Sequence, residues 1–301
     1  MAARPRLPLA TAFAAAIAAA SASAHPSRGI VVAADGRVYF SDLVKIRAIY
    51  PDGKTRVLRV NAEGHTHSLA LAADGAVWGD QSAYDPTDGR YREAIWRMRP
   101  DGSLTYRYGP RKDVGRGIGL LRDARGCTWH ADRPAKAAGM LVHRKCPGRP
   151  TERMFGDAGA DRAFRPVLVN DVAGTALAAD GSFIFRDGDT IRRVAPDGSV
   201  RSIARGLARE NFGIALGPAG SVLVAEHSAR RVVSVSPGRA PKEATRSAAP
   251  WAPTGVAWHR GDLYVLEARD HRCGERDRMR VRRVGPQGKA VVIATVVVTP
   301  R

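Results

Sequence analysis

The 301-residue chain is poor in cysteine, with three, and in aromatics, at 6%. Three cysteines with no C-x-x-C pair and no zinc spacing exclude a thiolate metal centre. So few aromatics, with arginines spread evenly along the chain, exclude a stacking platform for nucleic acid. Beyond Ala20 no apolar run approaches the roughly eighteen residues a membrane-spanning helix needs. Also lacking are G-x-S-x-G, a P-loop, a dinucleotide fingerprint and H-E-x-x-H, so no standard catalytic signature identifies a reaction. Acidic residues are scarce: 29 Asp and Glu stand against 48 Lys and Arg, for a net charge of +19. That balance excludes an acidic disordered tail, and 44% apolar residues exclude general disorder.

The first residues read as a secretory signal. Arg4 and Arg6 form a positive start, Leu7 to Ala20 is apolar and mostly alanine, and Ala22-Ser23-Ala24 precedes His25 as a small-residue cleavage site. Residues 1–24 are therefore expected to be removed, leaving 25–301 as one secreted or periplasmic domain that does not span a membrane. Outside the cell its positive field suits anionic envelope polymers or lipid head groups better than nucleic acid. A bias towards arginine codons accounts for the same excess. A monomer is expected.

One phrase recurs along the rest of the chain: a small apolar strand, a tight turn ending in Gly, then an apolar strand closing with an acid. It reads GIVVAADGRVYFSD (29–42), SLALAADGAVWGD (68–80), GLLRDARGCTWHAD (119–132), GTALAADGSFIFRD (174–187), GIALGPAGSVLVAE (213–226) and GVAWHRGDLYVLE (255–267). The turn glycines Gly36, Gly75, Gly126, Gly181, Gly220 and Gly261 are 39, 51, 55, 39 and 41 residues apart, the length of one propeller blade each. A second turn marks each unit, as in Pro51-Asp52-Gly53 and Pro196-Asp197-Gly198. Pro presets φ and Gly accepts positive φ, so each is a hairpin signal. Strand, turn, strand, loop, strand, turn, strand makes a four-stranded antiparallel meander. Six of them predict an all-β, six-bladed propeller. A parallel solenoid would have shorter coils and lack the second turn. Units two, three and six carry extra residues between their second and third strands, at 81–93, 133–139 and 268–279, on the face where repeat insertions often build a binding surface.

The phrase resembles the NHL repeat, and the six-unit count resembles the superfamily of gluconolactonase, senescence marker protein and strictosidine synthase. The resemblance spans nearly the whole chain after the signal. It implies the fold, and as activity a metal-assisted hydrolase or lyase acting on a lactone or ester. The alternative is a non-catalytic propeller that binds a sugar, peptide or envelope partner.

Cys127 opens the second strand of unit three and Cys146 ends its third, so the two face each other across a hairpin, within disulfide reach. An oxidising compartment permits the bond. Two buried thiols are the alternative. Cys273 is left over.

Propellers gather ligands at one mouth of the ring, on the segments leading into the inner strands. His65 and His67 stand two apart, so on an extended segment both point the same way, the spacing of an acid–base or metal pair. Hydrogen-bonded histidines at a strand start would look the same. Asn170, Asp171 and Asn211 offer oxygens suited to Ca²⁺ or another divalent cation, or caps for turns. The resemblance implies calcium ligands from an acid in unit one, where Arg28 stands instead, and from Asn in the middle units, which Asn170 and Asn211 match. Strictosidine-type relatives imply a mouth Glu as base, matched by Glu210, and streptogramin lyase implies a mouth His, matched by His67. The acids ending each second strand (Asp42, Asp80, Asp132, Asp187, Glu226, Glu267) are expected to be structural.

Overall fold

The computed structural model describes residues 26–61, 64–87, 90–111, 121–123, 125–132, 139–156, 173–208, 210–269 and 278–298. The signal segment, Asn170, Asp171 and Cys273 lie outside them. Six antiparallel sheets follow one another along the chain. Blade one is β1 (Ile30–Val32), β2 (Val38–Ser41), β3 (Lys45–Ile49) and β4 (Thr55–Val60). Blade two is β5 (Leu69–Leu71), β6 (Val77–Asp85), β7 (Arg90–Met98) and β8 (Leu104–Arg111). Blade three shows β9 (Thr128–Asp132), β10 (Leu141–Lys145) and β11 (Thr151–Gly156), with Arg122 bridging Thr128 where the innermost strand is expected. Blade four is β12 (Ala173–Leu177), β13 (Phe183–Asp187), β14 (Thr190–Val194) and β15 (Val200–Ala204). Blade five is β16 (Asn211–Leu216), β17 (Val222–Glu226), β18 (Arg231–Val235) and β19 (Lys242–Arg246). Blade six is β20 (Trp251–His259), β21 (Asp262–Arg269), β22 (Arg278–Val284) and β23 (Ala290–Val297). Each sheet is a meander of consecutive strands, so the ring closes without exchanging a strand between the chain ends. No helix among the described residues is long and apolar enough to cross a membrane.

The core consists of layers between blades. One cluster joins Phe40 and Ile30 of blade one to Leu266 and Val281 of blade six. Others join blades one and two through Tyr39 and Trp96, three and four through Trp129 and Phe183, four and five through Ile191 and Val224, and five and six through Ala225 and Val265. Covered on both faces, β2 and β17 are buried at every residue. Outer strands such as β4 and β19 are largely exposed.

The two turns of a blade meet at one end of the sheet. A Cβ placed on Gly75 would lie 3.6 Å from Cγ of Pro100, and one on Gly181 3.6 Å from Cγ of Pro196. The mouth is therefore the opposite end, where second strands finish. The leading glycines Gly29, Gly213 and Gly255 have a different task. A Cβ on Gly255 would lie 2.5 Å from the Arg28 carbonyl oxygen, one on Gly213 2.8 Å from Gly255 Cα, and one on Gly29 3.0 Å from Leu69 Cγ. These three glycines thus abut the neighbouring blade, and there is no room for a side chain between blades five, six and one at this height. The mouth has a floor of backbone.

The extra residues of unit two do not form a loop. β6 and β7 simply continue, paired in register from Val77↔Met98 out to Asp85↔Arg90, and project as a two-stranded arm. Cys127 and Cys146 are joined, with Sγ atoms 2.10 Å apart.

Candidate functional site

The mouth between blades one and two is built around His65-Thr66-His67. Thr66 points inward and is fully buried. Its neighbours on either side point outward, with imidazole centroids 5.9 Å apart and edge-on. His65 is exposed and His67 half-buried.

Nearly every polar group of this backbone is held. The Thr66 N–H donates to the Leu43 carbonyl (2.9 Å), and its carbonyl accepts from the Ser41 hydroxyl (2.8 Å). Asn61 Nδ2 donates to Thr66 Oγ1 (3.1 Å). His65 and Ser82 exchange two backbone bonds of 2.8 and 2.9 Å, so the root of the arm fastens the histidine segment. From blade one, the Arg28 N–H donates to the His67 carbonyl (3.1 Å). Asp80 Oδ1 accepts the N–H groups of His67 (2.8 Å) and Ser68 (2.9 Å), while Arg28 Nε donates to Ser68 Oγ (3.0 Å). Burial pushes the Asp80 carboxyl above its ordinary value, against the pull of those donors and of the Arg28 charge. At the arm's tip the Thr87 hydroxyl and N–H, with Arg92, hold Asp85 down to about 2.

Four more second-strand acids, Asp42, Asp187, Glu226 and Glu267, are structural, and their pattern is specific. Asp42 accepts from Lys45 N (2.6 Å) and Arg47 Nε (2.8 Å), and Asp187 from Arg192 Nε (2.7 Å). Glu226 accepts from Arg231 Nε (2.5 Å) and Ala208 N (2.8 Å). Glu267 accepts from Arg280 Nε (2.5 Å), Arg282 Nε (3.0 Å) and the Ser247 hydroxyl (2.5 Å). The partner arginine comes from the third strand, five residues on in blades one, four and five. The two glutamates also hold the segment that enters their own blade, Glu226 through Ala208 N and Glu267 through the Ser247 hydroxyl.

Glu210 is exposed at the start of blade five, which stands opposite blade two in a ring of six. Its carbonyl accepts the His227 N–H (2.9 Å), and the His227 ring meets Phe212 edge-on at 5.0 Å. Among the described contacts none joins Glu210 to the histidine pair. Asn211 begins β16 opposite Glu226. Among the described residues no three His, Cys, Asp or Glu gather to hold a metal ion. With the buried mouth acids occupied by arginines and Arg28 standing where unit one would supply an acid, the described residues do not fit a divalent cation. The role of Arg28 is not visible in the repeat, because its contacts to His67 and Ser68 cross from blade one to blade two.

No protein-family model matches the sequence, and no curated protein matches it. Among solved structures, a gluconolactonase from Xanthomonas campestris is 16% identical with a TM-score of 0.58, covering 79% of this chain and 82% of its own. Virginiamycin B lyase from Staphylococcus aureus is 16% identical at 0.55, covering 89% and 83%. Regucalcin from Agrobacterium tumefaciens, a calcium-binding protein, is 15% identical at 0.55, covering 82% and 83%. The protein thus shares the propeller fold of gluconolactonase-like proteins and of virginiamycin B lyase, and at such identity the likeness carries the fold alone.

Proposed function

We propose that this propeller is an exported enzyme that opens a lactone or ester, as a hydrolase or a lyase, at the mouth over blades one and two. The observation that supports this most is the rigid placement of two outward imidazoles on a segment tied at almost every backbone group. Such a segment holds a general base in position before a substrate arrives. In hydrolysis one imidazole takes the proton of the attacking water and the other returns a proton to the leaving oxygen. In elimination the first takes a proton from the carbon beside the breaking C–O bond. Arg28 supplies positive charge near the oxygen on which negative charge develops. The divalent-cation reading of Asn170, Asp171 and Asn211 adds no step here.

A panel of lactones and aryl esters tests this reading. The purified protein should turn over at least one class, and His65→Gln or His67→Gln should lower kcat by about 10²-fold or more with melting unchanged. Inactivity across the panel, or full activity in both variants, refutes it. Activity lost to chelator would restore the cation reading. Export is part of the proposal: protein recovered outside the cytoplasm should begin at His25.

The second reading, a non-catalytic mouth that binds a sugar or envelope polymer, draws on Trp251. Its half-buried ring lies 4.3 Å from the Arg280 guanidinium, a platform on which a sugar could stack. Binding abolished by Trp251→Ala in a protein without turnover would favour it.

A further inference from the structure

Outer strands of a propeller present unpaired backbone edges, which soluble proteins protect with charge. Five of the six outer strands here conform. β4 carries Arg56 and Arg59, β8 Arg107 and Arg111, β11 Glu152 and Arg153, β15 Arg201, and β19 Lys242, Glu243 and Arg246. β23, AVVIATVV, carries no charge over eight residues. Val291 and Val292 are each 45% exposed and Val297 40%, while Ile293 and Val296 pack inward on the layer shared with blade one.

We infer that the outer edge of blade six is where two copies of this chain pair, β23 lying antiparallel to β23 of the second copy. Charge selects that occupant. On a chain of net charge +19 two copies repel almost everywhere, and they meet at least cost where neither presents a charge. β23 is the outer edge that meets this condition, and an uncharged strand is complementary to its own antiparallel copy. The pairing would turn two four-stranded blades into one eight-stranded sheet about a two-fold axis, with valines from both copies covering each other. One strand per copy covers less than the roughly 1,200–2,000 Å² of a standard interface, so the dimer is weak and forms with rising concentration. Salt strengthens it by screening the repulsion between two cationic bodies.

Sedimentation equilibrium of the purified protein, from micromolar to submillimolar concentration at low and high salt, tests this. The expected result is a monomer–dimer equilibrium that shifts towards dimer with salt. Val291→Lys combined with Val292→Lys should abolish the dimer without lowering the melting temperature, because both side chains are exposed. Val57→Lys, on the equally exposed Val57 of β4, should leave it intact. A monomer under all conditions overturns the inference, as does a dimer that survives the double variant or is lost equally in Val57→Lys. Open-ended aggregates in place of a dimer overturn it too.

Discussion

Glu267→Ala tests how the propeller handles charge at its mouth. The Glu267 side chain is fully buried, and its two oxygens take three donors: Arg280 Nε and the Ser247 hydroxyl at 2.5 Å, and Arg282 Nε at 3.0 Å. Removing the carboxylate leaves the buried Arg282 without its counter-charge and strands Arg280, only 16% exposed at its side chain. Breaking a buried pair from one side costs about 3–5 kcal/mol. For a domain of this size that lowers the melting temperature by about 2–4 °C per kcal/mol, or roughly 10 °C in all. The matched control is Asp35→Ala, which breaks the Asp35–Arg37 pair of 2.7 Å on a carboxylate 51% exposed. There the loss should be about 0–1 kcal/mol. Differential scanning calorimetry of the two variants beside the unmodified protein reads the difference directly. If Glu267→Ala melts within a degree or so of Asp35→Ala, the mouth acids are not the fasteners described here.

Three more outcomes follow from named contacts. Gly255→Ala forces a Cβ to within 2.5 Å of the Arg28 carbonyl, backbone that cannot turn aside, and should destabilise by about 1–3 kcal/mol or more in denaturant titration. Asp80 has a folded pKa raised above 3.8 by burial, so the stability its protonated form contributes is complete below 3.8 and is lost as pH rises through the folded value. Asp80→Asn should therefore gain stability relative to the unmodified protein as pH climbs from 3.8, read as melting temperature against pH; parallel profiles would contradict this. Reducing the Cys127–Cys146 bond, or replacing Cys146 with Ser, should cost about 2–4 kcal/mol, and the two treatments should not add.

The repeat made the architecture legible because turn chemistry is local. Gly36 with Pro51, and Gly181 with Pro196, mark the corners of blades whether or not one knows what lies beside them. The disulfide was legible for the same reason, as a pairing within one hairpin. The histidine pair is legible as a candidate from its period of two, which fixes which way side chains face, but what anchors it is not. What holds its backbone in place comes from Arg28 and Ser41 of blade one and from Ser82 beyond the next strand, contacts that the repeat does not encode. At 81–93 the added length between strands two and three extends both of them, a pairing across the hairpin that added length alone does not announce. The partners of the strand-end acids, an arginine five residues on at Asp42, Asp187 and Glu226, likewise show only in the folded sheet.

The most direct measurement is a diffraction experiment on crystals soaked with a slowly hydrolysed lactone. The account predicts ligand density against the His65 and His67 imidazoles, beside Arg28 and beneath the root of the β6–β7 arm. Density lodged instead by Glu210 in blade five, or at the turn end of the ring, would contradict it.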